Sequence, residues 1–215
     1  MLQLDYLSFD LSGLKEVRCA ETSRLLADLH GTLFELSLRT PTDFPHDLQH
    51  PEQLHAYMSQ QTCGMASALI EFQVCRIAGL EAVRLMNKMW NSPDAADLSK
   101  VYSGALIFPF AAGCYFIKTA AREEGTSGVR ESMVTLLLHK QGKLQLPAAK
   151  APVDTTSDLA STIKKSPLVV SPGDAAEYDS DFPDHPLSRV RQALQHIEQS
   201  LQVAPALLNA KPYRI

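Results

Sequence analysis

The sequence lacks the features that mark nucleic-acid-binding, membrane-spanning or secreted proteins. Its 20 Lys and Arg residues against 24 Asp and Glu residues give a net charge of -4, so no positive surplus favours nucleic acid as a partner. The most apolar segment, residues 104–117, is shorter than the about 20 residues that a membrane-spanning helix requires. The first residues show no basic stretch followed by an apolar core. We therefore expect a cytoplasmic protein with no membrane span.

Cysteine is scarce, and its spacing excludes several kinds of site. The four cysteines are far apart and form no Cys-x-x-Cys pair, which argues against a zinc ribbon, a redox pair and a disulfide framework. Buried free thiols are the favoured interpretation. Hydrophobic residues make up 45% of the 215 residues, enough for one substantial core.

The amino-terminal third predicts strands followed by a helix. Residues 4–11 alternate as a strand that Gly13 ends, and residues 24–29 and 32–39 form a hairpin around His30–Gly31. A helix over residues 14–29 is the alternative. Pro51 fits the first turn of a helix that ends near Gly64.

The middle of the chain predicts an antiparallel meander. Ile70, Phe72 and Val74 alternate with polar residues, and Ala78–Gly79 provides a turn. Residues 80–90 have a helical alternative, but the closely spaced turns favour a strand. Two more strands over 101–108 and 114–121 are joined by a reversal at 109–113. The fold class is therefore α+β, an antiparallel sheet flanked by helices.

A helix is predicted after Gly125, capped by Thr126 or Ser127. Its apolar residues recur at helical spacing and are expected to pack on the sheet. They are Val129, Met133, Leu136 and Leu137.

The carboxyl-terminal part predicts a connector, an acidic segment and a last helix. Four prolines between residues 141 and 174 favour an extended or partly disordered connector. Residues 173–184 carry five acidic side chains and are expected to be solvated. The predicted domain is residues 1–140, followed by the connector 141–174 and by 175–215, which packs on the domain. The apolar stripe of the last helix consists of Leu187, Val190, Leu194, Ile197 and Leu201.

One fold family shares this order of elements. The residues that carry the resemblance are Phe34–Leu38, Ile77–Leu80, Tyr102–Ile107 and Glu123–Arg130. On these segments, the chain resembles the Mog1/PsbP-like fold over about residues 22–140. The resemblance implies an antiparallel sheet sandwiched by helices, and a binding or accessory protein. Members include small-GTPase regulators, photosystem accessory subunits and bacterial secretion chaperones, so the resemblance implies a protein-binding surface, without assigning any residue.

Three histidines, His46, His50 and His55, superficially resemble a metal site. Pro45 and Pro51 interrupt the continuous helix that an i, i+4 histidine pair needs, so we predict no metal here and no cofactor.

The start of the helix after Gly125 is a candidate anion site. Backbone N–H groups at a helix start attract anions, although no P-loop lysine is present and helix initiation is the favoured interpretation. The candidate residues are Thr126, Ser127, Gly128 and Arg130. Glu123 or Glu124 is expected to pair with Arg130.

Residues 182–189 contain an aspartate, a histidine and a serine, but they are too close in sequence to favour a catalytic triad. We favour a helix start, in which Asp184 or His185 is the cap, Pro186 lies in the first turn and Phe182 packs beside it.

The function that these features favour is a non-catalytic protein-binding module, such as a bacterial immunity protein, adaptor or secretion chaperone. Its partner would be a toxin, an effector or an assembly subunit. The candidate partner-binding residues are aromatic side chains of the meander and acidic side chains before the last helix. They are Trp90, Phe108, Phe110, Tyr115, Asp179 and Asp181. Two alternatives are a metal-dependent or His/Asp-based hydrolase around His46, His50 and His185, and a structural subunit of a larger assembly.

Overall fold

A seven-stranded antiparallel sheet forms the centre of the protein. The computed structural model describes residues 2–39, 48–64, 66–94, 96–145, 163–164 and 167–213. Its strands follow the spatial order β2-β3-β4-β8-β7-β6-β5. Their bounds are β2 Lys15–Ala20, β3 Ser23–Ala27, β4 Leu33–Arg39, β5 Ser67–Ile77, β6 Leu80–Trp90, β7 Lys100–Phe110 and β8 Gly113–Arg122. The predicted α+β class and the antiparallel meander are confirmed.

Helices and a second, two-stranded sheet surround this sheet. The short strands β1, Leu7–Ser8, and β9, Gln202–Val203, pair with each other. The helices are α1 Pro51–Gly64, α2 Val129–Lys140, α3 Pro186–Ser200 and α4 Pro205–Leu208. Within the described residues, no helix has both the length and the hydropathy that crossing a bilayer requires.

The amino-terminal predictions are partly wrong. Residues 4–11 contain a short 3-10 turn, Leu4–Tyr6, and only the two-residue strand β1. The hairpin around His30–Gly31 is confirmed, as β3 and β4. The alternative helix over 14–29 is wrong, because β2 and β3 pair with each other across a turn at Glu21–Thr22.

The reversal between β7 and β8 is tighter than expected, because both strands continue up to a turn at Ala111–Ala112. Pro109 lies in β7 beyond Ile107, the last β7 residue that pairs with β6, so its missing N–H interrupts no pair of that ladder.

The two faces of the sheet carry separate apolar clusters. On one face α3 buries four residues of its predicted stripe, Leu187, Val190, Leu194 and Ile197, which pack on β7 and β8. The fifth, Leu201, follows the helix and is partly buried. Gly104 permits this close packing, because a Cβ atom there would lie 2.6 Å from Leu194 Cδ1. On the opposite face α1 packs on β5 and covers a smaller cluster.

Helix α2 differs from its prediction. The stripe expected to face the sheet is exposed, with fractions of 46% for Val129, 55% for Met133, 49% for Leu136 and 41% for Leu137. Instead, α2 buries Arg130 and Val134. The turn Pro172–Asp174 packs on α2, whereas α3 packs on the sheet. The predicted Thr126 or Ser127 cap is also wrong, because the cap residue is Gly128, with φ +75°.

The acidic segment is solvated only in part: Glu177, Asp181 and Asp184 are exposed, whereas Asp174 and Asp179 are bound within the protein. Asp174 is buried and lies 2.6 Å from Lys88 Nζ, which is equally buried. Asp179 bridges Arg130 and Arg191 at 2.8 Å each. The connector prediction for residues 146–162 and 165–166 lies outside the described residues. The division into 1–140, 141–174 and 175–215 stays a prediction.

Candidate functional site

A cleft of about 640 Å³ lies where the β3–β4 turn meets the starts of α2 and α3. Its lining is part apolar and part charged. It includes Leu29, His30, Glu123, Val129, His185 and Arg189. The cleft is therefore bordered by the exposed stripe of α2, whose first residue is Val129.

The β3–β4 turn is held rigidly beside this cleft. Asp28 Oδ1 accepts hydrogen bonds from the N–H groups of His30, at 2.8 Å, and Thr32, at 2.7 Å. Arg189 of α3 donates to His30 O at 2.5 Å and to Thr32 Oγ1 at 2.7 Å. Leu29 at the tip is 95% exposed. The turn thus presents an apolar side chain to solvent in a fixed position.

The floor of the cleft adjoins a charged cluster. The side chains of Glu123, Glu131 and His185 each place one potential metal-binding atom, a carboxylate oxygen or a ring nitrogen, within 4.8 Å of the others. Lys100 Nζ is 2.9 Å from Glu131 Oε1 and 3.6 Å from Glu123 Oε2. Tyr102 donates its hydroxyl hydrogen to Glu131 Oε1 at 3.0 Å. Strands β7 and β8 and helices α2 and α3 meet through this cluster.

Electrostatics explain why both carboxylates stay charged. Burial alone would raise the pKa of Glu131, but the Lys100 ammonium and hydrogen bonds outweigh it and lower the pKa to about 2. Burial also acts to raise the pKa of Glu123, and the His185 ring 3.7 Å away, the Lys100 charge and the Gly128 N–H together lower it. Burial and the neighbouring carboxylates raise the pKa of Tyr102.

Two carboxylates and an imidazole are donors that zinc also accepts. Here the Lys100 ammonium supplies the positive charge between the carboxylates. The arrangement therefore suits a structural ion-pair cluster that fixes α2 to the sheet.

The predicted anion site is filled by the protein itself. The N–H of Gly128 donates to Glu123 Oε1 at 3.2 Å. Arg130 is buried and donates to Gly173 O, Ala175 O, Ser188 Oγ and Asp179 Oδ1. The expected pairing of Arg130 with Glu123 or Glu124 is wrong, since these acids pair with Lys100 and Arg122. An anion-binding role for Thr126 and Ser127 stays a prediction.

The predicted aromatic anchors divide into core and surface. Phe108, Phe110 and Tyr115 are buried in the cluster under α3, because strand alternation directs them to that face. Trp90 is partly exposed, with Lys164 Nζ 5.8 Å from its ring centroid.

The two predicted acidic contacts also differ from each other. Asp179 is bound to Arg130 and Arg191, whereas Asp181 is exposed. Binding roles for Trp90 and Asp181 stay predictions.

The histidines of the hydrolase alternative do not converge among the described residues. His50 precedes α1, on the face of the sheet opposite α3, whereas His185 caps α3. His46 lies outside the described residues. The ring of His55 packs edge-on against Phe72 at 5.2 Å.

The capping prediction for α3 is confirmed. His185 Nδ1 accepts the Leu187 N–H at 3.2 Å, and Pro186 is the first helical residue. The hydroxyl of Ser188 is held by Arg130 and donates to Asp179 at 3.1 Å. These contacts stabilise the helix start.

Comparison with solved structures finds a similar fold. The Ran-binding protein Mog1p of Saccharomyces cerevisiae is 9% identical, with a TM-score of 0.46, and the match covers 94% of this chain and 93% of that one. A point mutant of protein Mog1 is 11% identical, with a TM-score of 0.43 and coverage of 91% and 89%. Both matched structures are Mog1 proteins, which belong to the fold family that the sequence resembles. At these identities the likeness concerns the fold alone.

No protein-family model matches the chain, and comparison with curated proteins gives no match.

Sequence reasoning missed the exposed α2 stripe and Leu29. Both α2 and α3 carry an apolar face, and the spacing of residues does not say which helix covers the sheet. Arg130 inside α2 was the available signal, because its four hydrogen bonds to residues 173–188 turn that side of the helix inward.

Proposed function

We propose that this chain is a non-catalytic protein-binding module that binds its partner through the exposed face of α2 and the adjoining hairpin tip. We call this area the docking surface. It consists of Leu29, Val129, Met133, Leu136 and Leu137. The observation that carries the proposal is that the apolar stripe of α2 faces solvent while α3 covers the sheet.

The exposure of these side chains supports a partner that covers them. Single exposed apolar residues are ordinary, but grouped ones mark sites of protein contact. Four of the five lie on one helix at i, i+4, i+7 and i+8, so they share a face. Burying them against a partner removes apolar surface from water, which favours association.

The docking surface is also preorganised. Four hydrogen bonds from Arg130 and the pair between Lys100 and Glu131 fix α2 to the rest of the protein. The network of Asp28 and Arg189 fixes the hairpin tip. A surface that is already ordered loses little conformational entropy on binding.

The cleft beside Val129 supplies a place for an anchoring side chain of the partner. Binding energy in interfaces concentrates in a few side chains that fill such pockets. Charges of both signs line this cleft, including Arg122, Arg189, Glu124 and Asp184. They provide a polar rim around an apolar contact.

Three specific roles fit such a binding module. An immunity protein would cover a toxin, a secretion chaperone would hold an effector, and an adaptor would join two proteins. The proposed location of the protein is the bacterial cytoplasm. All three roles require a stable complex in which the docking surface is buried.

Substitution within α2 tests the proposal. Met133→Lys places a charge in the stripe without touching the core, so we expect the protein to stay folded and to lose its partner in quantitative co-purification. Gln192→Lys adds the same charge at an exposed position of α3, away from the stripe. Equal partner recovery with both variants would contradict the proposal.

The structural-subunit alternative predicts that the stripe contacts another copy of this chain. Light scattering over a range of concentrations distinguishes this alternative from binding to a different protein. Self-association that Met133→Lys abolishes would favour the structural subunit.

The cluster of Glu123, Glu131 and His185 is the observation that favours the hydrolase alternative. Stoichiometric zinc in the purified protein, lost on Glu131→Gln, would support that alternative.

A further inference from the structure

A second cavity, larger than the cleft, lies at the other end of the molecule's α3-covered face. It has a volume of about 820 Å³ and runs between the amino-terminal segment and strands β2–β4. Its apolar lining includes Leu2, Leu4, Phe9, Leu26, Leu36 and Leu38. Small-molecule sites have volumes of about 300–1,000 Å³ and mostly apolar walls, so this groove has the size and the lining of a ligand site.

One cation at the groove has an unused donor. Arg24 of β3 lines the groove, and its Nε is covered from solvent without a hydrogen bond to any described group. Glu16 Oε2 lies 3.2 Å from Nε but is not aligned to accept its hydrogen. A covered donor left without an acceptor is unfavourable, so an acceptor from a ligand would be stabilised there.

The other ionisable groups in the lining differ from Arg24. Asp5 and Glu21 are exposed and therefore remain solvated. Arg39 lies 5.0 Å from the Phe116 ring on the opposite face of the sheet. Arg24 is thus the cation that a ligand in the groove would meet together with the aliphatic wall.

We propose that this groove binds a fatty-acid-type amphiphile, with its hydrocarbon chain along the leucines and its carboxylate on Arg24. Aliphatic side chains favour a flexible hydrocarbon chain, because burial of such a chain is driven by apolar area and requires no directional contact. A guanidinium binds one carboxylate through two parallel hydrogen bonds. The groove and Arg24 lie outside the docking surface, so this inference is independent of the proposed function.

Calorimetric titration of the protein with dodecanoate, kept below its micelle concentration, tests the proposal. We expect one molecule to bind per chain. Arg24→Gln should weaken dodecanoate binding about tenfold, which corresponds to about 1.4 kcal/mol, and Arg24→Lys should weaken it less. Dodecanol, which has no charge, should bind both proteins equally.

A matched control is available on the neighbouring strand. Arg18 pairs with Leu25 across the ladder, whereas Arg24 pairs with Leu36, so the two arginines point to opposite faces. Arg18→Gln removes the same charge and should leave dodecanoate binding unchanged. Cys19→Trp, at an exposed position of the lining that pairs with Arg24 and so shares its face, should block dodecanoate and dodecanol alike.

Several results would overturn the proposal. They are no binding of dodecanoate to the folded protein, binding of many molecules per chain, or equal losses with Arg18→Gln and Arg24→Gln. Saturable binding of an apolar helical peptide in place of dodecanoate would assign the groove to a protein partner instead. Circular dichroism confirms that each variant is folded, and Met133→Lys should leave dodecanoate binding intact.

Discussion

The ion pair between Lys88 and Asp174 is the most deeply buried charge contact among the described residues. Both side chains are 2% exposed, and the Ser171 N–H also donates to Asp174 at 2.6 Å. Removing one member of such a pair leaves an uncompensated charge in the interior.

We therefore expect Asp174→Asn to lower the free energy of unfolding by about 3–5 kcal/mol. Urea denaturation measures this loss. The exposed Asp181→Asn is the control and should change stability by less than about 0.5 kcal/mol. The double variant Lys88→Met, Asp174→Asn should recover part of the loss, because no buried charge remains; a double variant less stable than Asp174→Asn alone would contradict this account.

Glu131 makes stability depend on acid pH. Its pKa falls from 4.5 to about 2 on folding, so its contribution is fully present above pH 4.5 and is lost as the pH falls towards 2. The shift corresponds to roughly 3 kcal/mol. Glu131→Gln should therefore lose about this much at pH 7 and much less near pH 2, measured by urea denaturation at each pH. A constant difference between the two proteins would exclude this linkage.

Single-residue contacts were predictable from the sequence only where the partners are close along the chain. His185 and Leu187 are two positions apart, and the cap followed from the Pro186 signal. Lys88 and Asp174 are separated by 86 positions, and nothing in either neighbourhood specifies the other. Long-range contacts depend on the complete fold, so the buried ion pairs and hydrogen bonds could not be predicted from the sequence.

At the scale of elements, the close approach of α3 to β7 depends on Gly104. A methyl group there would meet Leu194 Cδ1 at 2.6 Å and Val190 Cγ1 at 3.0 Å. Gly104→Ala should therefore cost about 1–3 kcal/mol, measured by thermal or urea unfolding.

A double variant separates this clash from other effects of Gly104→Ala. Leu194→Ala alone should lose about 2–5 kcal/mol by opening a cavity. Adding Gly104→Ala to Leu194→Ala should cost less than it does in the wild-type protein, because the two positions share space. Strict additivity would show that the contact is unimportant.

The elements themselves were largely predictable, but not which helix covers the sheet. Period-two alternation identified β5, and Pro51 identified the start of α1. The stripe of α2 was assigned to the wrong environment because its inward face is polar, with Arg130 bound to the segment before α3. Hydrophobic spacing describes a face without saying what lies opposite, so the docking surface became visible only in the folded chain.

For the whole molecule, the order of the strands along the chain predicted the meander. It did not predict that the meander pairs with the amino-terminal strands. β5 to β8 follow one another both in the chain and in space, whereas β4 pairs with β8 across about 75 intervening residues. That pairing joins the amino-terminal hairpin to the meander and creates both the groove and the cleft. The two candidate binding regions therefore arise from tertiary contacts.

Site-specific photo-crosslinking in the cells that make this protein tests its role as a binding module most directly. A photoreactive residue placed at Met133 or Leu29 should form a covalent adduct with the same single protein, because both positions lie on the docking surface. The same residue at Gln192, an exposed position of α3, should form no such adduct. Equal crosslinking at all three positions, or none at Met133 and Leu29, would contradict the proposed function.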